Sequence, residues 1–192
     1  MKLLILIFIL SFQLLALDFK VIKLRGEVTY NNKKLSVGDV IEQGAEVNSS
    51  SKGSFVQFQS SDGSVFLLKS GIVKLDRNKN TQDSYLTLIK GKLFHALDKK
   101  QTKENVKIKT KQAVFGIRGT KYFIEVKEDK SYLCVCEGVV RAKDIRTLEN
   151  FDIKANEDLY LYTSKDPEKK KANKMMMEMG EKEFASMGYP LK

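Results

Sequence analysis

The sequence has no tryptophan, a single histidine (His95), two prolines and two cysteines, Cys134 and Cys136, among its 192 residues. One imidazole removes the commonest general base and excludes a site built from several histidine ligands. No SxxK or GxSxG motif and no framework of paired carboxylates stands out, and Asp and Glu fall mostly in turn-like segments, so the chain reads as non-catalytic and without a cofactor. Arginine supplies only five of the 34 cationic residues. Arg is the side chain suited to bidentate reading of bases and phosphates, so nucleic acid is not an expected partner. Before residue 165 the sequence also lacks any folded-part stretch with helical periodicity, which excludes a helical bundle and leaves no crossover helices for a parallel α/β sheet.

What is present is lysine, carrying most of a formal charge of +10. Such a surface is attracted weakly to anionic lipid or cell-wall polymer. Lys99, Lys100, Lys103, Lys107, Lys109 and Lys111 crowd one short span. They are candidates for an anionic contact, or else a solvated loop and an edge strand kept from pairing by its charges. At the start, Lys2 precedes an apolar run, Leu3 to Leu17, broken only by Ser11 and Gln13. About 15 residues is short for a membrane span and suits an export signal. Residues 1–18 are therefore expected to be a signal peptide, cut near Ala16, with an uncleaved signal anchor as the alternative. Either way the rest of the chain belongs in the periplasm.

From Phe19 onward the pattern is short strands with turn signals between them. Asn31-Asn32, Gly38-Asp39, Gln43-Gly44, residues 49–54 and Asp62-Gly63 all punctuate β-rich runs. This spacing predicts an all-β chain, an antiparallel β-sandwich of jelly-roll-like form over residues 19–164, with a stacked strand-turn solenoid as the competing arrangement. The strongest stretch is Asn105 to Asp144. Gly116, Arg118, Gly119 and Thr120 form a GxRGT element, read as a structural clamp more than a ligand contact. The alternating strand Tyr122–Val126 follows. Tyr132 to Cys136 is apolar on both faces, as in a strand covered on both sides. Gly138 then bends the chain. A weak echo lays Tyr85–Leu93 over Tyr132–Val140, which places equivalent bends at Gly91 and Gly138.

Cys134 and Cys136 share one face of a strand. Three readings stay open: two buried thiols, a strained or dimer-forming disulfide, and a soft-metal or haem-related site. Only the internal echo connects His95 with them.

The run Lys109-Thr110 to Ala113-Val114-Phe115-Gly116-Ile117-Arg118-Gly119-Thr120, the strand after it, and the closing Glu137-Gly138-Val139-Val140 resemble the FecR family, the periplasmic sensing domain of iron-siderophore signalling regulators. Turns at Leu35–Asp39, Gly44–Val47 and Asp62–Ser64 extend the resemblance over roughly residues 26–143. It implies a jelly-roll-like sandwich and an envelope setting. Regulators of that family carry a cytoplasmic helical segment that grips a sigma factor; here only Met1 precedes Lys2, so no sigma-factor partner is expected. The expected function is a non-catalytic exported binding or scaffold module with an envelope protein or an anionic surface as partner, or alternatively a sensor working through a separate transmembrane protein.

Residues 165–192 form a tail with five of the six methionines. Asp166 and Pro167 suit a helix start. Helix is expected from Lys169 to Met179 and onward along a stripe of Met176, Met179, Phe184 and Met187, weakened by Gly180 and ended by Gly188-Tyr189-Pro190.

Overall fold

A computed structural model describes residues 19–61, 63–77, 84–97 and 106–192, without the side chains of residues 77, 84, 85, 106 and 117–119. Fourteen strands and one helix follow in order: β1 (Phe19–Arg25), β2 (Thr29–Tyr30), β3 (Lys33–Lys34), β4 (Val40–Ile41), β5 (Glu46–Asn48), β6 (Phe55–Ser60), β7 (Val65–Arg77), β8 (Ser84–Ala96), β9 (Val106–Lys109), β10 (Ala113–Val126), β11 (Lys130–Asp144), β12 (Asn150–Lys154), β13 (Glu157–Tyr162), β14 (Glu168–Lys171) and α1 (Lys174–Ser186). All fourteen strands belong to one hydrogen-bonded sheet. The all-β expectation with a short C-terminal helix holds.

The sheet forms two layers because its long strands change layer partway along. The first half of β7 pairs with β6 and the end of β8, while its second half pairs with β5 and the start of β8. β8 and β10 meet over Gly91–Ala96 and Lys121–Val126, and β10 and β11 run together through both layers. One layer thus reads β4-β1-β6-β7-β8-β10-β11-β13-β14, and the other β3-β2-β5-β7-β8-β9-β10-β11-β12. Pairing is antiparallel except for β8 with β9. β9 lies between β8 and β10, so Lys107 and Lys109 stand on an interior strand and not on the expected edge.

Alternation decides which side chains fill the space between the layers. Phe58, Phe66, Leu68, Leu93, Tyr122, Ile124, Leu133 and Val135 from one layer meet Val73, Leu75, Leu86, Leu88, Ile108, Phe115, Val140 and Ile153 from the other in a single buried cluster. Phe19, Phe58 and Phe66 add ring contacts at 5.4–5.9 Å, each worth about 1 kcal/mol beyond burial. The Asn31-Asn32 turn is as its residues require: both take positive φ (45° and 63°) in a two-residue hairpin between β2 and β3.

The layer change is sharpest where β7 crosses β8. Register slips between Lys69 and Ile72, Ser70 takes φ 47°, and Gly91 takes φ 93°. A Cβ on Gly91 would lie 2.4 Å from the Gly71 Cα, and one on Gly71 would lie 2.4 Å from the Lys90 carbonyl oxygen. Two backbones touch here, and only glycine permits it. The expected echo between Gly91 and Gly138 is physical: Gly138 also takes positive φ, at 84°. The two bends serve two layers of a sandwich, not successive coils of a solenoid.

These geometries set a comparison. Gly44 also has positive φ (82°) but nothing within 4 Å of an added Cβ. Gly44→Ala should cost about 1 kcal/mol, the backbone penalty alone. Gly91→Ala should cost about 3 kcal/mol or more, because backbone overlap is added. Urea unfolding of the two variants beside the parent measures the difference; equal losses would show that the crossing is not tight.

Candidate functional site

Three features converge at the second bend and the outer face beside it. The first is the GxRGT element. Arg118 pairs with Val139 and Lys121 with Glu137, so Gly119 and Thr120 together oppose Gly138 alone. Two residues against one is a β-bulge, which bends the strand and increases its twist. Gly116 is extended and paired with both Lys107 and Arg141. Thr120 is buried, and its hydroxyl has no hydrogen-bond partner among the described residues. The expected role of the Arg118 side chain lies outside what the structure describes.

The second feature is a tie with no local signal in the residues that make it. Directly after the bulge, Lys121 is 8% exposed. Its ammonium pairs with Glu137 at 3.2 Å and donates to the Pro190 carbonyl at 2.5 Å. Glu137 also accepts from the Lys192 N–H at 2.6 Å. The bulge is thereby fastened to the end of the chain.

The third is the thiol cluster. Strand β11 is covered on both faces, as its composition predicts. Leu133 and Val135 face the main core; Tyr132, Cys134 and Cys136 face outward with Phe94, Phe123, Val65 and Leu67 into a second cluster closed by α1. Phe184 of α1 is fully buried edge-on to Phe94 at 5.9 Å. Gly180 lets the helix come down onto Cys136, since a Cβ there would sit 2.9 Å from the thiol sulfur. The glycine that weakens the helix is the one that permits docking. Lys69 pairs with Glu183, and Gln57 donates to the Met187 carbonyl at 3.3 Å.

The helix begins later than its residues suggest. Residues 168–171 form β14 against β13, and Asn173 is the N-cap, accepting from the Met175 N–H at 2.9 Å. Asp166 and Pro167 lie ahead of the strand instead. Tertiary pairing outweighs local preference here: Lys165 and Lys170 both pair with Glu168, and Lys169 pairs with Glu157. Those two lysines hold the Glu168 carboxyl down to about 2.

Both cysteines are free and buried. The Cys134 sulfur lies 3.6 Å from the Met177 thioether. The neighbouring Cys136 thiol, together with burial, pushes the Cys134 thiol far above the usual range. Burial does the same to the Tyr132 phenol. Asp158 stands opposite Cys134 in the register, buried, and accepts the Asn173 N–H at 3.0 Å. His95 is elsewhere: it packs between Phe66 (4.6 Å) and Tyr122 (5.1 Å) on the opposite face of the layer from the thiols. The sheet separates it from them. Of the lysines marked for an anionic contact, Lys99, Lys100 and Lys103 lie outside the described residues, and Lys107 is half-buried.

The FecR protein family model matches residues 46–141, from β5 through both bends to the bulge partner strand. The chain belongs to the FecR family. A solved structure of a candidate anti-sigma factor from Parabacteroides distasonis superposes with a TM-score of 0.56 at 16% identity, over 67% of this chain and 60% of that one. A second candidate anti-sigma factor structure from that organism gives a TM-score of 0.43 at 14% identity, over 76% and 61%. The chain therefore spans about 60% of the length of these neighbours, the first of which shares its fold. No curated protein matches.

We infer that the GxRGT element is architecture. Gly119→Val should lower the melting temperature, because the added side chain has to fit a bulge in which two residues oppose one. If the Arg118 fork is a structural clamp, Arg118→Ala should lower it by the equivalent of about 1–3 kcal/mol. Thermal unfolding measured beside partner affinity decides the role: an Arg118→Ala protein as stable as the parent but unable to bind would make Arg118 a recognition residue.

Proposed function

We propose that this FecR-family chain is a non-catalytic, exported binding module of the cell envelope. The observation that supports it best is that both faces of the layer carrying the family motif are filled. One face packs on the second layer and the other on α1. Such a body offers a partner its surfaces and edges in place of a deep substrate cleft. Family membership supports an envelope setting. Among the described residues no helix is long and apolar enough to cross a membrane; the apolar run at residues 3–17 is read as the export signal.

The fold shared with a candidate anti-sigma factor favours a second reading within the same frame. Here the module is the sensing part of a signalling system and passes its state to a separate transmembrane protein. In both readings the occupant is an envelope protein, with anionic polymer or lipid as the competing ligand.

Native purification from fractionated cells after mild cross-linking tests the proposal. The expected result is a periplasmic chain shortened by about 16–18 residues, recovered with one envelope protein in fixed ratio. A transmembrane partner selects the signalling reading. Full-length chain in the cytosol, or turnover in a broad hydrolase screen, would overturn the proposal.

A further inference from the structure

The sulfur cluster under α1 has donors suited to a soft metal ion. Among the described residues no three of His, Cys, Asp and Glu are grouped to hold an ion. Three sulfurs are grouped, however. Cys134 and Cys136 stand two positions apart on the same face of β11 and enter one buried cluster. Met177, on the first turns of α1, sets its thioether 3.6 Å from the Cys134 sulfur. Three sulfurs bonded to one metal at about 2.3 Å stand roughly 3.8–4.0 Å apart, so the Cys134–Met177 edge is already near the spacing required.

We propose that Cys134, Cys136 and Met177 form a three-sulfur site for a soft monovalent metal ion, copper(I) being the class that fits. Thiolate and thioether donors select such ions over hard ones. Zinc fits worse, since it takes four ligands and among the described residues no three of His, Cys, Asp and Glu are grouped to supply them. The thiols are enclosed, with Cys134 fully buried, Cys136 6% exposed and the Gly180 backbone against the second thiol, while Met177 is half-buried at the helix. Entry needs α1 to lift, and a bound ion would in turn fasten α1 to β11. Metal loading would thus be read out at the C-terminal face.

Each thiol loses its proton to solvent as its sulfur bonds the metal, so one copper(I) displaces two protons, and apparent affinity rises about 100-fold per pH unit. The other titratable groups in or against the cluster are Tyr132 from β11, Asp158 and Tyr160 from β13, and Tyr189 after α1; the burial that raises the Tyr132 and Tyr160 phenols keeps them neutral. Asp158 is engaged by the Asn173 N–H at the helix start.

The test is anaerobic titration of the reduced full chain with copper(I) against a chromophoric copper(I) chelator, with X-ray absorption on the loaded protein. One ion per chain, three sulfur scatterers and the stated pH slope are expected. Met177→Leu, a volume-conserving change, should weaken binding tenfold or more with unchanged melting temperature. Met175→Leu, at a 69% exposed position, should leave affinity as in the parent. Cys134→Ser and Cys136→Ser should abolish binding. No binding, two sulfur scatterers, or a Met177→Leu protein that binds as the parent does would overturn the proposal, and the last holds even if the serine variants fail to fold.

Discussion

The structure depends on backbone meeting backbone where β7 crosses β8. A sheet of fourteen strands cannot bury both faces of its long strands while lying open. It has to turn over on itself, and turning requires strands that bend without losing their ladder. Gly71 against Gly91 gives one such place, with 2.4 Å available where a Cβ would stand. The bulge of Gly119 and Thr120 against Gly138 gives the other. Once these bends exist, alternation along each strand assigns side chains to the core between the layers or to the outer face. The large buried cluster from Phe19 to Leu161 is the consequence.

The outer face of the first layer remains apolar after the turn, and α1 resolves it. Val65, Leu67, Phe94, Phe123 and Tyr132 would otherwise form an exposed patch. The helix has only Gly180 and Phe184 fully inside, so its own propensity contributes little and its docking does most. Docking is fixed at its start by Asn173 on Asp158, at its middle by Gly180 on Cys136, and beyond its end by Lys121 on Pro190. The last contact is one residue from the bulge. The bend that characterises the family stretch and the tail that closes the fold are therefore mechanically joined.

Much of this was legible in the residues. Turn pairs such as Asn31-Asn32 require particular backbone angles, and a run like Tyr132 to Cys136 has no polar face to give to water. The bends at Gly91 and Gly138 left a trace in the internal echo. Other features had no local signal. β14 is charged and short, and pairs because β13 lies beside it; residues 168–171 alone read as helix. β9 looked like a lysine-protected edge, because nothing within Val106–Lys109 says that β8 and β10 lie on both sides. Asp158, Lys121 and Glu137 became notable only through their partners, up to 69 residues away in sequence. Gly180 read as a defect in a helix because the thiol beneath it is 44 positions back in the chain.

The central claim is that the two layers are one folded sheet and not two sheets in contact. Native-state hydrogen exchange under increasing denaturant tests it on the two halves of β8, Leu86–Ile89 in one layer and Leu93–Ala96 in the other. The account predicts that the amides of both halves open together, with the same free energy and the same denaturant dependence. Separate opening, with one half exchanging through a subglobal unfolding that leaves the other protected, would contradict it.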